Sequence, residues 1–178
     1  FEYTLILDLK LKRGEYADFV RAFTPLGVDL MEAVIEQYCG VKISDYYKGK
    51  NSAKQWNQRK LESSEILPFL QGKYAQFKWG PVYSHQLINL IEAKCSDDIL
   101  KQRTKELDTV EQNTRNIAAH NIVSVTEEWV KEQTGKSVSE IMWLIKYICS
   151  RVKINIREEN WNSYDKMNTH IIKLLDEL

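Results

Sequence analysis

The feature that most constrains the fold is the recurrence of apolar residues at spacings of three and four along most of the chain. One run extends from Tyr16 to Phe23 and another from Val28 to Tyr38, with Pro25 between them. Such a stripe, with a period near 3.6 residues, is typical of amphipathic helices that cover a core. The pattern predicts an all-α chain, in which these runs form one long helix bent at Pro25 or two helices that meet there.

The first twelve residues are less clear, because apolar side chains alternate there and alternation by itself is typical of a strand. The tripeptide Lys12-Arg13-Gly14 that follows has the form of a basic last helical turn with a glycine stop. Glu15 then opens a further helical segment, so that a helix-turn-helix pair is equally natural. We favour a helix for residues 1–12.

Capping signals divide the remaining chain into further helices. A short helix is expected around residues 64–70. Ser84 is placed to cap a helix that ends near Cys95, and the pair Asp97-Asp98 opens the next helix.

Two later segments have the form of a capping box, in which side chains three residues apart bond each other's backbone N–H groups. They are Ser124-Val125-Thr126-Glu127 and Ser137-Val138-Ser139-Glu140. They introduce a short helix that ends at Gly135 and a longer one after it. A last helix is expected over residues 161–178, with these apolar side chains turned inward: Met167, Ile171, Ile172, Leu174 and Leu175.

Composition limits the functional classes. The 178 residues suit one domain, or one domain with a small helical annex, and 43% of them are apolar. Lys and Arg together number 25, as do Asp and Glu, so any contact with a nucleic acid must be local. The sequence has no secretory signal and no apolar run long enough to cross a bilayer, which predicts a soluble, cytoplasmic protein with no membrane partner.

The three cysteines, Cys39, Cys95 and Cys149, are far apart in sequence, and none lies in the spacing of a metal site. We expect them to be reduced, buried thiols in a cytosolic protein.

Residues 40–60 are basic, with six Lys or Arg against one Asp and three aromatic residues among them: Tyr46, Tyr47 and Trp56. A stretch of this kind can stack bases and hold phosphates. It can also be a surface loop whose aromatic side chains dock on the core. We favour the second interpretation.

The segment Arg115-Asn116-Ile117-Ala118-Ala119-His120 carries the chemistry that stands out in the sequence. Arginine is a permanent cation suited to a phosphate, and histidine can take and give a proton near neutral pH. A shuffled chain of this composition would contain an equivalent motif about once in twenty-five times, so the motif alone is suggestive.

The motif is expected on or just after a helix, where each residue advances by about 100°. Arg115 and His120 would then point about 140° apart, whereas Asn116 and His120 share a face. This geometry favours a site that a second copy of the chain completes, and the small Ala118 and Ala119 would let its helix approach closely. A two-fold dimer through the motif-bearing helix would place two copies of the motif opposite each other.

Such a site suits the phosphodiester of single-stranded RNA. His120 would act as general base or general acid, Arg115 would stabilise charge on the phosphorus, and Asn116 would orient the imidazole or hold a phosphate oxygen. The nucleophile is the ribose hydroxyl of the substrate itself, so neither a metal nor another cofactor is required.

Four other residues are candidates for the same site. Asn113 and Asn121 flank the motif and are candidates for substrate binding. His85 and His170 are weaker candidates for chemistry, because each fits the packing pattern of a helix.

The motif, including the polar residue after the arginine, resembles the R-x4-6-H motif of HEPN-domain ribonucleases. The flanking segments are similar to the Csm-associated ribonuclease family of type III-A CRISPR systems: Lys12-Arg13-Gly14-Glu15-Tyr16-Ala17-Asp18-Phe19-Val20-Arg21 and Asn160-Trp161-Asn162-Ser163-Tyr164-Asp165-Lys166-Met167-Asn168. The resemblance covers most of the chain.

The resemblance implies a HEPN-type helical bundle over residues 41–178, preceded by an N-terminal helical annex over residues 1–40. It also implies a metal-independent endoribonuclease for antiviral defence, with a composite active site across a homodimer and with Arg115, Asn116 and His120 as its catalytic residues.

In that family an upstream CARF domain senses cyclic oligoadenylate. The present chain begins at Phe1 rather than Met and has no alternating strands and helices, so we expect a fragment from which this domain is absent. Cyclic oligoadenylate would then be a partner only through the missing domain.

Two alternatives remain beside the ribonuclease. The chain could be a non-catalytic helical module for dimerisation or nucleotide binding, although the intact motif favours catalysis. It could also be a HEPN toxin unrelated to CRISPR, which the segment from Trp161 to Asn168 argues against.

Overall fold

The computed structural model describes residues 2–48, 54–120, 125–152 and 158–177, without the side chains of residues 115–120, 158 and 159. The helices of these ranges are α1 Glu2–Lys12, α2 Tyr16–Val34, α3 Gln58–Glu62, α4 Leu67–Gln71, α5 Ser84–Lys94, α6 Asp98–His120, α7 Glu127–Thr134, α8 Val138–Arg151, α9 Glu158–Trp161 and α10 Ser163–Asp176. A π-helical turn, Ile35–Cys39, continues α2, and a 3₁₀ turn covers Ile43–Tyr46. The described ranges contain isolated β-bridges but no strand, which confirms the all-α class.

The first segment is a helix, as we favoured. Gly14 has a φ of 69°, the left-handed conformation that glycine adopts without a steric penalty. The N–H of Gly14 donates to the carbonyl of Leu11 at 3.0 Å, and the N–H of Glu15 donates to that of Lys10 at 2.9 Å. These two bonds form a Schellman motif, which ends α1 and turns the chain into α2.

The central helix of the fold is α2, which is continuous through Pro25. It packs against α1, α5, α6 and α8. Its buried side chains include Phe19, Phe23 and Leu30, each at most 1% exposed. Pro25 was compatible with one long helix or with two helices, and the structure has one. Burial along α2 offsets the loss of the backbone hydrogen bond that proline cannot donate.

The aromatic side chains of residues 40–60 dock on the core, as expected for the described part of this stretch. Trp56 is 1% exposed, and its indole N–H donates to Oε1 of Gln86 at 2.8 Å. Tyr47 packs edge-on against Trp56, with ring centroids 5.5 Å apart, and its hydroxyl donates to Oε1 of Glu32 at 2.6 Å. Burial and this bond raise the pKa of Tyr47. These rings are therefore structural.

The cysteines are free thiols, and Cys95 and Cys149 are buried as predicted. Cys39 is only half-buried. Burial raises the pKa of both Cys39 and Cys149 to about 11. Thiols with such pKa values are unreactive at neutral pH, in keeping with a packing role.

Several helix boundaries follow the predicted caps. The Ser137 capping box is present, with the N–H of Ser137 donating to Glu140 at 2.7 Å and the N–H of Glu140 donating to Ser137 Oγ at 3.2 Å. The cap of α7 is Thr126 rather than the predicted Ser124, and its hydroxyl accepts from the N–H of Trp129 at 3.2 Å. Ser124 lies outside the described residues.

Two other boundary predictions were wrong. Ser84 is the first residue of α5 rather than its cap, which is Tyr83, because the Ser84 hydroxyl is used in a contact with α6. The short helix expected around residues 64–70 is α4, but it begins only at Leu67, after a turn that separates it from α3.

The last helix, α10, does not turn its apolar side inward, and that prediction was also wrong. The apolar side chains of its stripe are between 46% and 62% exposed: Met167, Ile171, Ile172, Leu174 and Leu175. Lys12 and Asp165 form an ion pair that ties α10 to α1. Periodicity shows that a helix has an apolar face, but not that its own chain covers that face.

Within the described residues, no helix is both long and apolar enough to cross a membrane.

We predict that Trp56→Ala lowers the free energy of unfolding by about 3–5 kcal/mol, because it leaves a cavity and removes the donor to Gln86. Urea denaturation followed by circular dichroism measures this change. Trp143→Ala is the matched control, since Trp143 is 52% exposed, and it should cost less than about 1 kcal/mol. Equal losses for the two variants would show that Trp56 is not part of the core.

Candidate active site

The predicted catalytic segment lies at the C-terminal end of α6. The helix begins after Asp97, whose Oδ1 accepts from the N–H of Leu100 at 2.9 Å. That bond, aided by the ion pair with Arg151, lowers the pKa of Asp97. The helical backbone then continues without interruption to His120. The sequence predicted that the motif lies on a helix or just after one, and the structure has it on the helix.

The backbone sets the register of the motif positions. Asn116 and His120 are four residues apart in α6, which is about one turn, whereas Arg115 and His120 are five apart. The side chains of these three residues, and the whole of Asn121, lie outside the described residues. Their catalytic and binding roles stay predictions.

Asn113, the other residue considered for substrate binding, has an exposed side chain. Its Nδ2 donates to the backbone carbonyl of Gln133 in α7 at 3.1 Å. Asn113 therefore links α6 to α7 two residues before the motif, and a role in substrate binding stays a prediction.

The buried face of α6 has both apolar and polar residues. Leu100, Leu107 and Val110 form a buried apolar stripe. A buried polar row accompanies them: Thr104, Asp108, Glu111 and Thr114. Sequence reasoning missed this row, although its spacing of four, three and three residues is a helical signal of the same kind.

Glu111 is the residue of this row that connects the motif helix with α5. It is 2% exposed, and its Oε2 accepts from Ser84 Oγ at 2.8 Å. A methyl group built on Gly27 of α2 would lie 3.9 Å from its Cγ, so the carboxylate is held where three helices meet. Glu111 precedes Arg115 by four residues, a spacing at which a carboxylate and an arginine of one helix are neighbours.

Asp108 is a second buried carboxyl group, one turn earlier. Its Oδ2 accepts from Gln112 Nε2 at 2.6 Å, and its Oδ1 has no hydrogen-bond partner among the described residues. Burial is the main cause that raises the pKa of Asp108 above its ordinary value of 3.8. The buried face of α6 therefore carries two carboxyl groups beside its apolar stripe, just before the motif.

Two histidines of the chain have described side chains. His85 stacks on Tyr83, with ring centroids 5.5 Å apart, and makes a T-shaped contact with Tyr74, with centroids 5.8 Å apart. His170 is exposed on α10. Neither His85 nor His170 belongs to a metal-binding cluster of three or more His, Cys, Asp or Glu residues, and the described ranges contain no such cluster.

Comparison with known proteins identifies the family. The model of the Cas_Csm6 HEPN domain matches residues 1–172. The chain belongs to the Cas_Csm6 HEPN domain family. The match includes α1 and α2 as well as the helix that carries the motif.

A relative of this family member is the CRISPR system endoribonuclease Csm6 of Mycobacterium tuberculosis, which is 27% identical over 180 residues. The alignment covers 98% of the chain and 39% of the relative. The chain therefore spans about two fifths of the length of that protein.

We predict that Asp108→Asn stabilises the domain more at pH 7 than at pH 4. A raised pKa means that the folded state prefers the protonated carboxyl group, so its contribution is present below pH 3.8 and is lost as the pH rises through the folded pKa. Asparagine does not ionise and avoids this loss. Thermal unfolding of both proteins at both pH values tests the prediction, which an equal difference at pH 4 and pH 7 contradicts.

Proposed function

We propose that the chain is the ribonuclease part of a type III CRISPR defence protein, and that it cleaves single-stranded RNA without a metal ion. The observation that carries the proposal is the position of the Arg115-to-His120 motif on α6 in a member of the Cas_Csm6 HEPN domain family. The name of the Mycobacterium tuberculosis relative, an endoribonuclease of a CRISPR system, supports the same activity.

In the proposed reaction the ribose 2′-oxygen attacks the neighbouring phosphorus, and the bond from phosphorus to the 5′-oxygen breaks. A neutral His120 takes the proton of the 2′-hydroxyl, or a protonated His120 gives a proton to the leaving 5′-oxygen. Arg115 stabilises the negative charge on the phosphorane, and Asn116 holds the imidazole or a phosphate oxygen. The products are a 2′,3′-cyclic phosphate and a 5′-hydroxyl.

We infer that two copies of the chain form the site. On a regular helix Arg115 and His120 diverge by about 140°, so one helix does not bring both to one phosphate unaided. An isologous dimer through the ends of the two α6 helices supplies the missing half, and Ala118 and Ala119 leave room for close approach.

The remaining parts of the proposal concern the whole protein. We propose a cytoplasmic protein in which residues 1–40, the expected annex, share one core with residues 41–178, because α2 is the central helix of that core. Cyclic oligoadenylate would regulate it through a CARF domain upstream of this chain.

We expect Arg115→Ala and His120→Ala each to slow cleavage of labelled single-stranded RNA by at least about 100-fold. Arg21→Ala and His170→Ala are matched controls, because both side chains are exposed and lie on other helices. Cleavage by the parent protein should persist in EDTA. Loss of cleavage in EDTA would refute the metal-free mechanism, and equal cleavage by the parent and both motif variants would identify a contaminant.

A composite site predicts that activity depends on dimer formation. The cleavage rate per chain should fall when the protein is diluted into the range where light scattering shows monomers. A constant rate per chain across that transition contradicts the shared site. A dimer that binds RNA without cutting it would instead support the non-catalytic alternative.

A further inference from the structure

A second basic and aromatic stretch of the chain differs from residues 40–60 in having no acidic residue. Residues 66–91 contain two lysines, one histidine and no Asp or Glu. They also contain five aromatic residues: Phe69, Tyr74, Phe77, Trp79 and Tyr83. A surface of this composition attracts a polyanion locally in a chain whose net charge is zero.

This stretch surrounds a cavity of about 290 Å³ between α4 and the first turn of α5. Its walls include Tyr74, Phe77, Lys78 and His85. Tyr74 is 53% exposed, in contrast to the buried Trp56. The cavity therefore offers an accessible aromatic ring.

The two rings that line the cavity beside α5, Tyr74 and His85, are in contact, and His85 also stacks on Tyr83. His85 lies parallel to Tyr83, with an interplanar angle of 20°, and perpendicular to Tyr74, with an angle of 69°. The Nζ of Lys78 is 4.4 Å from the centroid of the Tyr83 ring. Lys78 thus lines the same cavity as the exposed Tyr74 ring.

Side-chain amides hold the walls of this cavity in place. Gln86 accepts from the N–H of Tyr83 at 3.2 Å and donates to the carbonyl of Lys78 at 2.8 Å. Gln71 donates to the carbonyl of Tyr74 at 2.8 Å. Because these bonds exist without a ligand, less conformational entropy is lost when one binds.

The cavity adjoins the motif helix. Ser84, the neighbour of His85, donates to Glu111 on α6, and Glu111 precedes Arg115 by four residues. Four helical residues advance about 6 Å along the axis. The first turn of α5, which lines the cavity, is therefore bonded to α6 one turn before the motif begins.

We propose that this cavity is a subsite for one nucleobase of the single-stranded RNA, a step that rests on the proposed function. The exposed ring of Tyr74 provides the stacking surface, His85 lines the cavity beside it, and Lys78 binds an adjoining phosphate. The volume is at the lower end of the roughly 300–1,000 Å³ typical of small-molecule sites, which suits a single base. Stacking is compatible with every base, so the subsite contributes affinity with little sequence preference.

The test measures binding separately from cleavage. Fluorescence anisotropy of a labelled single-stranded RNA in EDTA is recorded with His120→Ala protein, which should leave the RNA intact. Adding Tyr74→Ala should weaken binding by about tenfold, whereas Tyr74→Phe, which keeps the ring, should change it less than about twofold. Trp143→Ala is the matched control, because Trp143 is a similarly exposed ring under a cation, Arg103, and lies on α8, outside the lining of the cavity.

A set of RNAs with one abasic position each tests the base directly. To the protein that keeps Tyr74, one of these abasic RNAs should bind more weakly than the intact RNA. To the Tyr74→Ala protein, the same abasic RNA and the intact RNA should bind with equal affinity. Binding unchanged by Tyr74→Ala, an equal loss with Trp143→Ala, or no RNA binding by any variant overturns the subsite. Tyr74-dependent binding by a parent protein that does not cleave RNA supports the subsite and contradicts only the proposed catalysis.

Discussion

The packing of α2 against α6 is the contact on which the rest of the structure depends. The central helix α2 is buried against α1, α5, α6 and α8, so each of these helices takes its position from the same apolar surface. Gly27 lies in this surface, opposite Glu111. α6 also carries the Arg115-to-His120 motif. The packing of side chains between α2 and α6 therefore sets the orientation of the motif helix.

The buried polar row of α6 connects that helix to α5. A carboxylate that is removed from water needs hydrogen bonds or a cation, and Glu111 receives a hydrogen bond from Ser84. This bond joins α5 to α6 one turn before Arg115. The same contact places the first turn of α5, with His85 and its aromatic neighbours, beside the motif helix.

Both aromatic stretches of the chain are visible in the sequence, but their roles differ for reasons of packing. The stretch at residues 40–60 has more basic residues, yet Trp56 fills the core and Tyr47 bonds to Glu32. The stretch at residues 66–91 turns Tyr74 toward solvent around a cavity. Composition therefore detects aromatic residues near cations, and burial decides which of them are accessible to a ligand.

Local signals in the sequence determined the all-α class, the position of the motif on a helix, and several helix ends, among them Gly14 and the Ser137 capping box. These predictions succeed because a helix and its caps are formed by residues within a few positions of one another. Only the tertiary structure decided that Ser84 bonds to Glu111 and that α10 keeps its apolar side exposed. Those outcomes depend on contacts between residues far apart in the chain, and local periodicity carries no information about which distant surface a helix will meet.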